Sequence, residues 1–252
     1  MSYWSSEVAA DFYAKGRPYF HPSVVAQVAE FLKDHVPFNN ALDVGCGTGL
    51  SSRALQQVAS QVRGIDTSPE MLRHVPTAPH LAFAQAPGEA IPFEDNSFDL
   101  ITLAQSFHWL DRAKFFSEAR RVLKSRGWIV VYDNYFSAMM QEKPDFQPWF
   151  AEYLSRFPTP PRPRVQFTPE DANAEGFDFV HKSMHEEWPE FTKESLTAYL
   201  LTQSNISAAM ERGEPLESIT DWMGSELSRF IPESGSVHIG FGSPIWYLRK
   251  VS

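Results

Sequence analysis

Apolar positions along the first half of the chain follow two periods that alternate. Val24, Val28, Phe31 and Leu32 recur at i, i+4, i+7 and i+8, one face of a helix. The apolar run Ala41-Leu42-Asp43-Val44 reads as a strand that ends in glycines. Leu50 to Ala59 reads as a helix, and Gln61 to Ile65 as a second strand. Ser68-Pro69-Glu70 predicts a helix start, with serine as cap and proline in the first helical position. Leu81 to Ala84 and Phe98 to Ala104 predict a third and a fourth strand, the latter apolar except for Asp99 and Thr102. A helix is predicted from about Asp111 to Lys124, with Phe115, Ala119, Val122 and Leu123 on its buried face and Gly127 as its stop. Trp128 to Tyr132 predicts a fifth strand.

Unbroken apolar strands separated by amphipathic helices belong to a parallel sheet covered on both faces. Such sheets bind ligands at the carboxyl ends of their strands, near the switch in strand order. After Tyr132 the pattern changes. Residues 133–175 are rich in aromatics (Tyr135, Phe136, Phe146, Trp149, Phe150, Tyr153, Phe157) and hold the stiff loop Pro158-Thr159-Pro160-Pro161-Arg162-Pro163. They read as a partly helical insertion, either a cap over an apolar substrate or a helical core packed on the sheet. Phe177 to Trp188 and Val237 to Arg249 predict long strands, with a helical region from 192 to 230 between them.

Composition narrows the function classes. The chain of 252 residues has a net charge of −9, whereas a protein built to bind a phosphate backbone carries a basic face. Its basic cluster, Arg120, Arg121, Lys124 and Arg126, falls at the end of the predicted helix, where cations suit the dipole. Nucleic acid and membrane are therefore not expected as partners. One cysteine, Cys46, excludes an internal disulfide and a cysteine-based metal cluster. The scattered histidines suggest no metal site. The N-terminal residues lack a signal-peptide core, and no apolar run approaches the ~18 residues of a membrane span. The expected compartment is the cytoplasm.

The chemistry concentrates at strand ends. Leu42-Asp43-Val44-Gly45-Cys46-Gly47-Thr48-Gly49 runs a strand into three glycines at alternate positions, and a helix follows. Glycines let the backbone take positive φ and pass close under a ligand. A dinucleotide fingerprint is G-x-G-x-x-G, but Leu50 stands where its third glycine belongs, which argues against a nicotinamide-dependent dehydrogenase. Asp43 before the turn suits a ligand with positive charge, such as an amino group or a sulfonium. Asp66 closes the second strand, where a carboxylate can accept both ribose hydroxyls or cap the next helix. Gly88-Glu89-Ala90-Ile91-Pro92-Phe93 and Ala104-Gln105-Ser106-Phe107-His108-Trp109 complete the set.

Together, DVGCGTG, the acidic end of the second strand, GEAIPFEDNSFDLIT and QSFHW resemble class I S-adenosylmethionine (SAM)-dependent methyltransferases. The likeness is to the type 11 small-molecule branch, which includes enzymes like trans-aconitate methyltransferase. It covers residues 10–135 well, and the C-terminal half in layout only. It implies an α/β fold: a Rossmann-like, mostly parallel seven-stranded sheet with helices on both faces and a C-terminal antiparallel hairpin. Residues 1–252 would form a single domain, with 133–175 as an aromatic-rich cap insertion. The resemblance also implies roles. Asp43, Gly45, Cys46, Gly47 and Gly49 would border the methionine part of SAM, and Asp66 the ribose, with Thr67 and Met71 beside the adenosine. Gly88, Glu89 and Ala90 would flank the adenine. Gln105 would sit near the sulfonium, and His108 and Trp109 would face cofactor or substrate. Tyr13 and Arg17 would close over the pocket. Pro87 departs from the more usual polar residue at its position.

The expected reaction moves the methyl group of SAM to a small molecule at a carboxylate or hydroxyl oxygen, with S-adenosylhomocysteine as product. Positioning alone can contribute effective molarities of roughly 10⁵–10⁸ M. A carboxylate acceptor needs no base, and for a hydroxyl His108 is the candidate. Arg17, Arg162 and Arg164 could hold an acidic substrate. A SAM-binding protein without catalysis carries the same motifs. Amino-methylating nucleic-acid enzymes carry an Asn/Asp-Pro-Pro-Tyr turn where Gln105-Ser106-Phe107-His108 stands.

Overall fold

The computed structural model describes residues 18–160 and 167–251. These fall into two compact units. The sheet unit holds 19–134, 167–185 and 243–251; the aromatic unit holds residue 18, 135–160 and 186–242.

The sheet unit opens with α1 (His21–Phe31), β1 (Phe38–Val44), α2 (Leu50–Leu55), β2 (Ala59–Asp66), α3 (Pro69–Leu72), β3 (Leu81–Gln85) and β4 (Phe98–Ala104). A single 3₁₀ turn (Phe107–Trp109), α4 (Arg112–Val122) and β5 (Leu123–Tyr132) follow. The five strands are parallel in the order β3-β2-β1-β4-β5. The order reverses between β1 and β4, so the crevice at their carboxyl ends is where such a sheet takes a ligand. The unit closes with α6 (Pro169–Ala174), β7 (Phe177–Glu187) and the last residues of β9 (Ser236–Lys250), which run antiparallel to β5. β7 pairs with β9, as the predicted terminal hairpin requires.

Strand alternation builds two cores. Ala41, Leu100, Val130 and Tyr247 pack with Val24, Val25 and Val28 of α1 and with Ala54 and Leu55 of α2. Their sequence neighbours Leu42, Ile101, Ile129 and Leu248 face the other way, onto Phe115, Phe116, Ala119 and Val122 of α4. All of these side chains are almost wholly buried, and each large one contributes about 1.5–3 kcal/mol.

Two helices are shorter than their patterns predict. α2 stops at Leu55, because Ala59 already pairs with Phe38 in the β1–β2 ladder. α4 stops at Val122 rather than at Lys124. Leu123 pairs with Phe98, and the Lys250 ammonium donates to the carbonyls of Arg120 and Leu123, both at 2.7 Å. Gly127 lies inside β5, within the register shift of the β4–β5 ladder between Leu123 and Trp128. The basic cluster also disperses. Arg120 pairs with Glu175, and Arg121 with Glu118 and Asp95.

The aromatic unit holds β6 (Tyr135–Met140), α5 (Phe146–Arg156), β8 (Glu190–Thr192), α7 (Lys193–Leu201), α8 (Ser204–Glu211), α9 (Leu216–Leu227) and the first half of β9. β6 and β8 pair with β9. Residues 135–160 belong to this unit and 167–175 to the sheet unit. Residues 135–140 form a strand where a partly helical segment was expected. Phe146, Trp149, Tyr153 and Phe157 are buried against Leu196, Tyr199, Leu200, Met223 and Phe241. Those four rings thus form the unit's own core. No helix among the described residues is long and apolar enough to cross a membrane.

Candidate functional site

The glycine turn follows β1 at the predicted place. Gly45, Gly47 and Gly49 have φ of +71°, +54° and +78°, a region that costs a residue with a side chain about 1–3 kcal/mol. The Gly45 and Cys46 amides both donate to the carbonyl of Ile65, at 2.8 and 3.0 Å, tying the turn to β2. The space is as restrictive as the torsions. A Cβ at Gly45 would lie 2.4 Å from the Ser106 Cβ, and one at Gly49 2.8 Å from the Phe83 ring.

Two carboxylates brace the turn. Asp43 is fully buried. It accepts hydrogen bonds from the hydroxyls of Ser51 (2.5 Å), Ser52 (2.6 Å) and Thr102 (3.1 Å). Burial raises its pKa above the ordinary carboxylate value, and the three hydroxyl donors oppose that rise. Its register partners are Gly64 on β2 and Thr102 on β4, so it joins the β1–β4 switch to the start of α2. Asp66 is half-buried at the end of β2. One of its oxygens accepts from the Gly47 amide at 2.8 Å, and the other from the Ser68 amide at 2.8 Å. Ser68 caps α3 through its bond from the Met71 amide at 3.2 Å. Met71 is buried beneath Gly47, 3.1 Å from where a Cβ would stand, and Thr67 is exposed. Cys46 is buried, which pushes its thiol pKa far up and keeps it un-ionised.

The remaining predicted residues line the neighbouring strand ends. Gly88 is buried against Val44 and Leu110. Glu89 accepts from the Asp111 amide at 2.8 Å, ahead of α4, and Ala90 is exposed on a turn closed by its amide to Pro87. Gln105, after β4, has a φ of +58°. Its amide donates to Tyr132 at 2.9 Å and its side chain to the Asn134 carbonyl at 2.8 Å, locking the ends of β4 and β5 together. His108 is half-buried on the 3₁₀ turn, its ring 4.7 Å from that of Trp109. Trp109 is 50% exposed, and its amide donates to the Ser106 carbonyl. Tyr13, Arg17, Arg162 and Arg164 lie outside the described residues.

Several participants carry no sequence signature. Ser51, Ser52 and Thr102 serve Asp43. Ser106 joins the turns after β1 and β4, its hydroxyl donating to the Val44 carbonyl at 2.6 Å. Asn134 is buried after β5. Its Oδ1 accepts from Ser243 at 2.8 Å, and its Nδ2 has no hydrogen-bond partner. A buried hydroxyl or amide becomes significant only once the fold shows what it faces.

Comparison with known proteins agrees with this geometry. Residues 42–131 match a family described as a methyltransferase domain. An uncharacterized methyltransferase of Mycobacterium tuberculosis is 33% identical over 120 residues, 47% of each chain. One from Schizosaccharomyces pombe is 32% identical over 127 residues, 48% of this chain and 49% of that one. The chain thus spans about half the length of the curated relatives it matches. A putative type II methyltransferase of Anaeromyxobacter dehalogenans shares the fold with a TM-score of 0.68 at 20% identity, over 89% of this chain and 95% of that one. The YcgJ protein of Bacillus subtilis does so with a TM-score of 0.56 at 19% identity, over 93% and 100%. Over residues 42–131, the chain is therefore similar to methyltransferase domains.

Proposed function

We propose that the protein transfers the methyl group of SAM to a small-molecule acceptor, at a carboxylate or hydroxyl oxygen, and does so in the cytoplasm. The observation that carries this reading is the turn of three left-handed glycines at the β1–β4 switch, held in place by Asp43 and Asp66. The residues fit the cofactor. The turn presents backbone where any side chain would collide with Ser106 or Phe83. Each Asp66 oxygen accepts one amide and keeps a lone pair for a ribose hydroxyl.

Bound there, SAM supplies an electrophilic methyl group on a sulfonium leaving group. The chain's own part is to hold and to exclude. Gly45, Cys46, Gly47 and Gly49 border the methionine part, and Asp43 acts from beneath by fixing the turn. Asp66, Thr67 and Met71 take the adenosine, and Gly88, Glu89 and Ala90 the adenine side. Gln105 and Trp109 stand by the transferring group. His108 accepts the proton of a hydroxyl acceptor, whereas a carboxylate acceptor needs no base. The acidic chain supports a small-molecule acceptor over a nucleic acid.

The test is transfer of a labelled methyl group from SAM to a panel of small carboxylic acids, phenols and alcohols. Label is expected on an oxygen. His108→Ala should slow hydroxyl acceptors by about 10²–10⁴-fold and leave carboxylates unchanged. SAM binding without transfer to any acceptor would favour a binding protein. Equal rates for His108→Ala with a hydroxyl acceptor would remove the base.

A further inference from the structure

The amino-terminal ends of β1, β4 and β5 enclose a cleft of about 300 Å³. It lies at the opposite end of β1 from the glycine turn, about 20 Å away at ~3.3 Å per residue. Its wall is basic. Lys124 is neutralised by Asp99 at 2.8 Å, whose other oxygen accepts the Asn40 amide. Arg126 and Arg249 also line the cleft, and neither has a carboxylate partner among the described residues. The Arg249 guanidinium lies over the Trp128 ring, 5.0 Å from its centre, and its Nε donates to the Arg126 carbonyl at 3.4 Å. Arg126 is held at a φ of +60°, a conformation that non-glycine residues seldom adopt. His35 closes the other side, its ring 5.5 Å from that of Trp128.

One buried polar atom of a lining residue is unsatisfied. Trp128 is 5% exposed, and its indole Nε1 has no hydrogen-bond partner. Buried donors are nearly always paired, and an unpaired one asks for an acceptor the chain does not supply. Two guanidiniums without a carboxylate partner among the described residues line the cleft, and the buried Trp128 that also lines it carries an unpaired N–H. We propose that this cleft is a second binding site, separate from the methyl-transfer centre, for a small oxyanion of the phosphate or polycarboxylate class. Guanidinium matches both with paired N–H donors, and the cleft admits a small metabolite rather than a polymer.

Calorimetric titration with inorganic phosphate and with citrate, at constant ionic strength, tests this on the full chain. One or both should bind, and which one binds identifies the phosphate or the carboxylate source. The Arg126→Gln/Arg249→Gln double variant should weaken that binding at least about tenfold, about 1.4 kcal/mol. It should keep its affinity for SAM, which shows that it folds. The indole N–H resonance that Trp128→Phe deletes should shift as the anion is added. No binding of either anion to the wild-type chain at millimolar concentration would overturn the proposal. So would binding that the double variant retains and the indole resonance does not sense, which marks an adventitious ion only.

Discussion

At the carboxyl ends of β1 and β2, acidic groups are matched by donors from the chain. Asp43 takes three hydroxyls and Asp66 two amides. At the amino ends of β1, β4 and β5, donors outnumber acceptors. Two guanidiniums stand against one carboxylate already engaged by Lys124 and Asn40, and the buried indole N–H of Trp128 has no partner. The first end is therefore a rigid platform, its carboxylates each tied to donors of the chain that fix the backbone of a turn. The second has polar capacity left over. Rigidity marks where geometry matters, as in transfer chemistry, whereas spare capacity marks where charge alone would attract a ligand.

Substitutions at the two ends should differ accordingly, and the largest effect belongs to the turn. Gly45→Ala places a methyl group 2.4 Å from the Ser106 Cβ at a φ of +71°. Backbone strain alone costs about 1–3 kcal/mol, and displacing Ser106 adds to it. SAM affinity by calorimetry should fall at least about a hundredfold, roughly 2.8 kcal/mol. Unaltered affinity would mean that the turn does not cradle the cofactor.

Ser52→Ala comes next. It removes one of the donors on a fully buried carboxylate and should cost about 1–3 kcal/mol in denaturant unfolding. A loss below about half a kcal/mol would show that the other hydroxyls suffice.

The pH dependence at Asp43 sharpens the same point. Its folded pKa is raised by burial from an unfolded value near 3.8, so the folded state holds the proton more tightly. That contribution is fully present below about pH 4 and is lost as pH rises through the folded pKa. The stability of Asp43→Asn relative to the wild type should therefore rise with pH across that window, and level off above it. A flat difference in unfolding free energy between the two would refute the burial argument.

The smallest effect is expected at the basic end. Arg249→Gln gives up a cation–π contact with Trp128, worth about 0.5–1 kcal/mol at an exposed site. Thermal unfolding should barely move, while anion binding should fall. A large loss of stability would recast Arg249 as a structural group.

The central strands β1, β4 and β5 were legible because each holds a contiguous apolar run. The glycine turn was legible because its torsions exclude other residues. Helix ends were less so. The periodicity of α4 continues through Leu123, yet the strand pairing of Leu123 and the distant Lys250 end the helix at Val122. β6 was hidden because its residues pair with β9 about a hundred positions later. Asp43 was read from its place in the motif, but not its burial. Its donors lie eight, nine and fifty-nine positions away, and hydroxyl residues at such spacings have no pattern. Asn134 and the basic cleft were invisible for the same reason. Arg126 lies near the start of β5 and Arg249 near the end of β9, 123 positions apart, and the sequence shows the first only as part of a helix-end cluster.

The central claim is that the glycine turn and Asp66 hold SAM. Calorimetric titration of the wild-type chain and of Asp66→Ala, with SAM and separately with NAD, tests it most directly. Micromolar binding of SAM alone is expected, weakened at least about tenfold by the substitution, about 1.4 kcal/mol. NAD binding, no SAM binding, or SAM binding indifferent to Asp66 would contradict it.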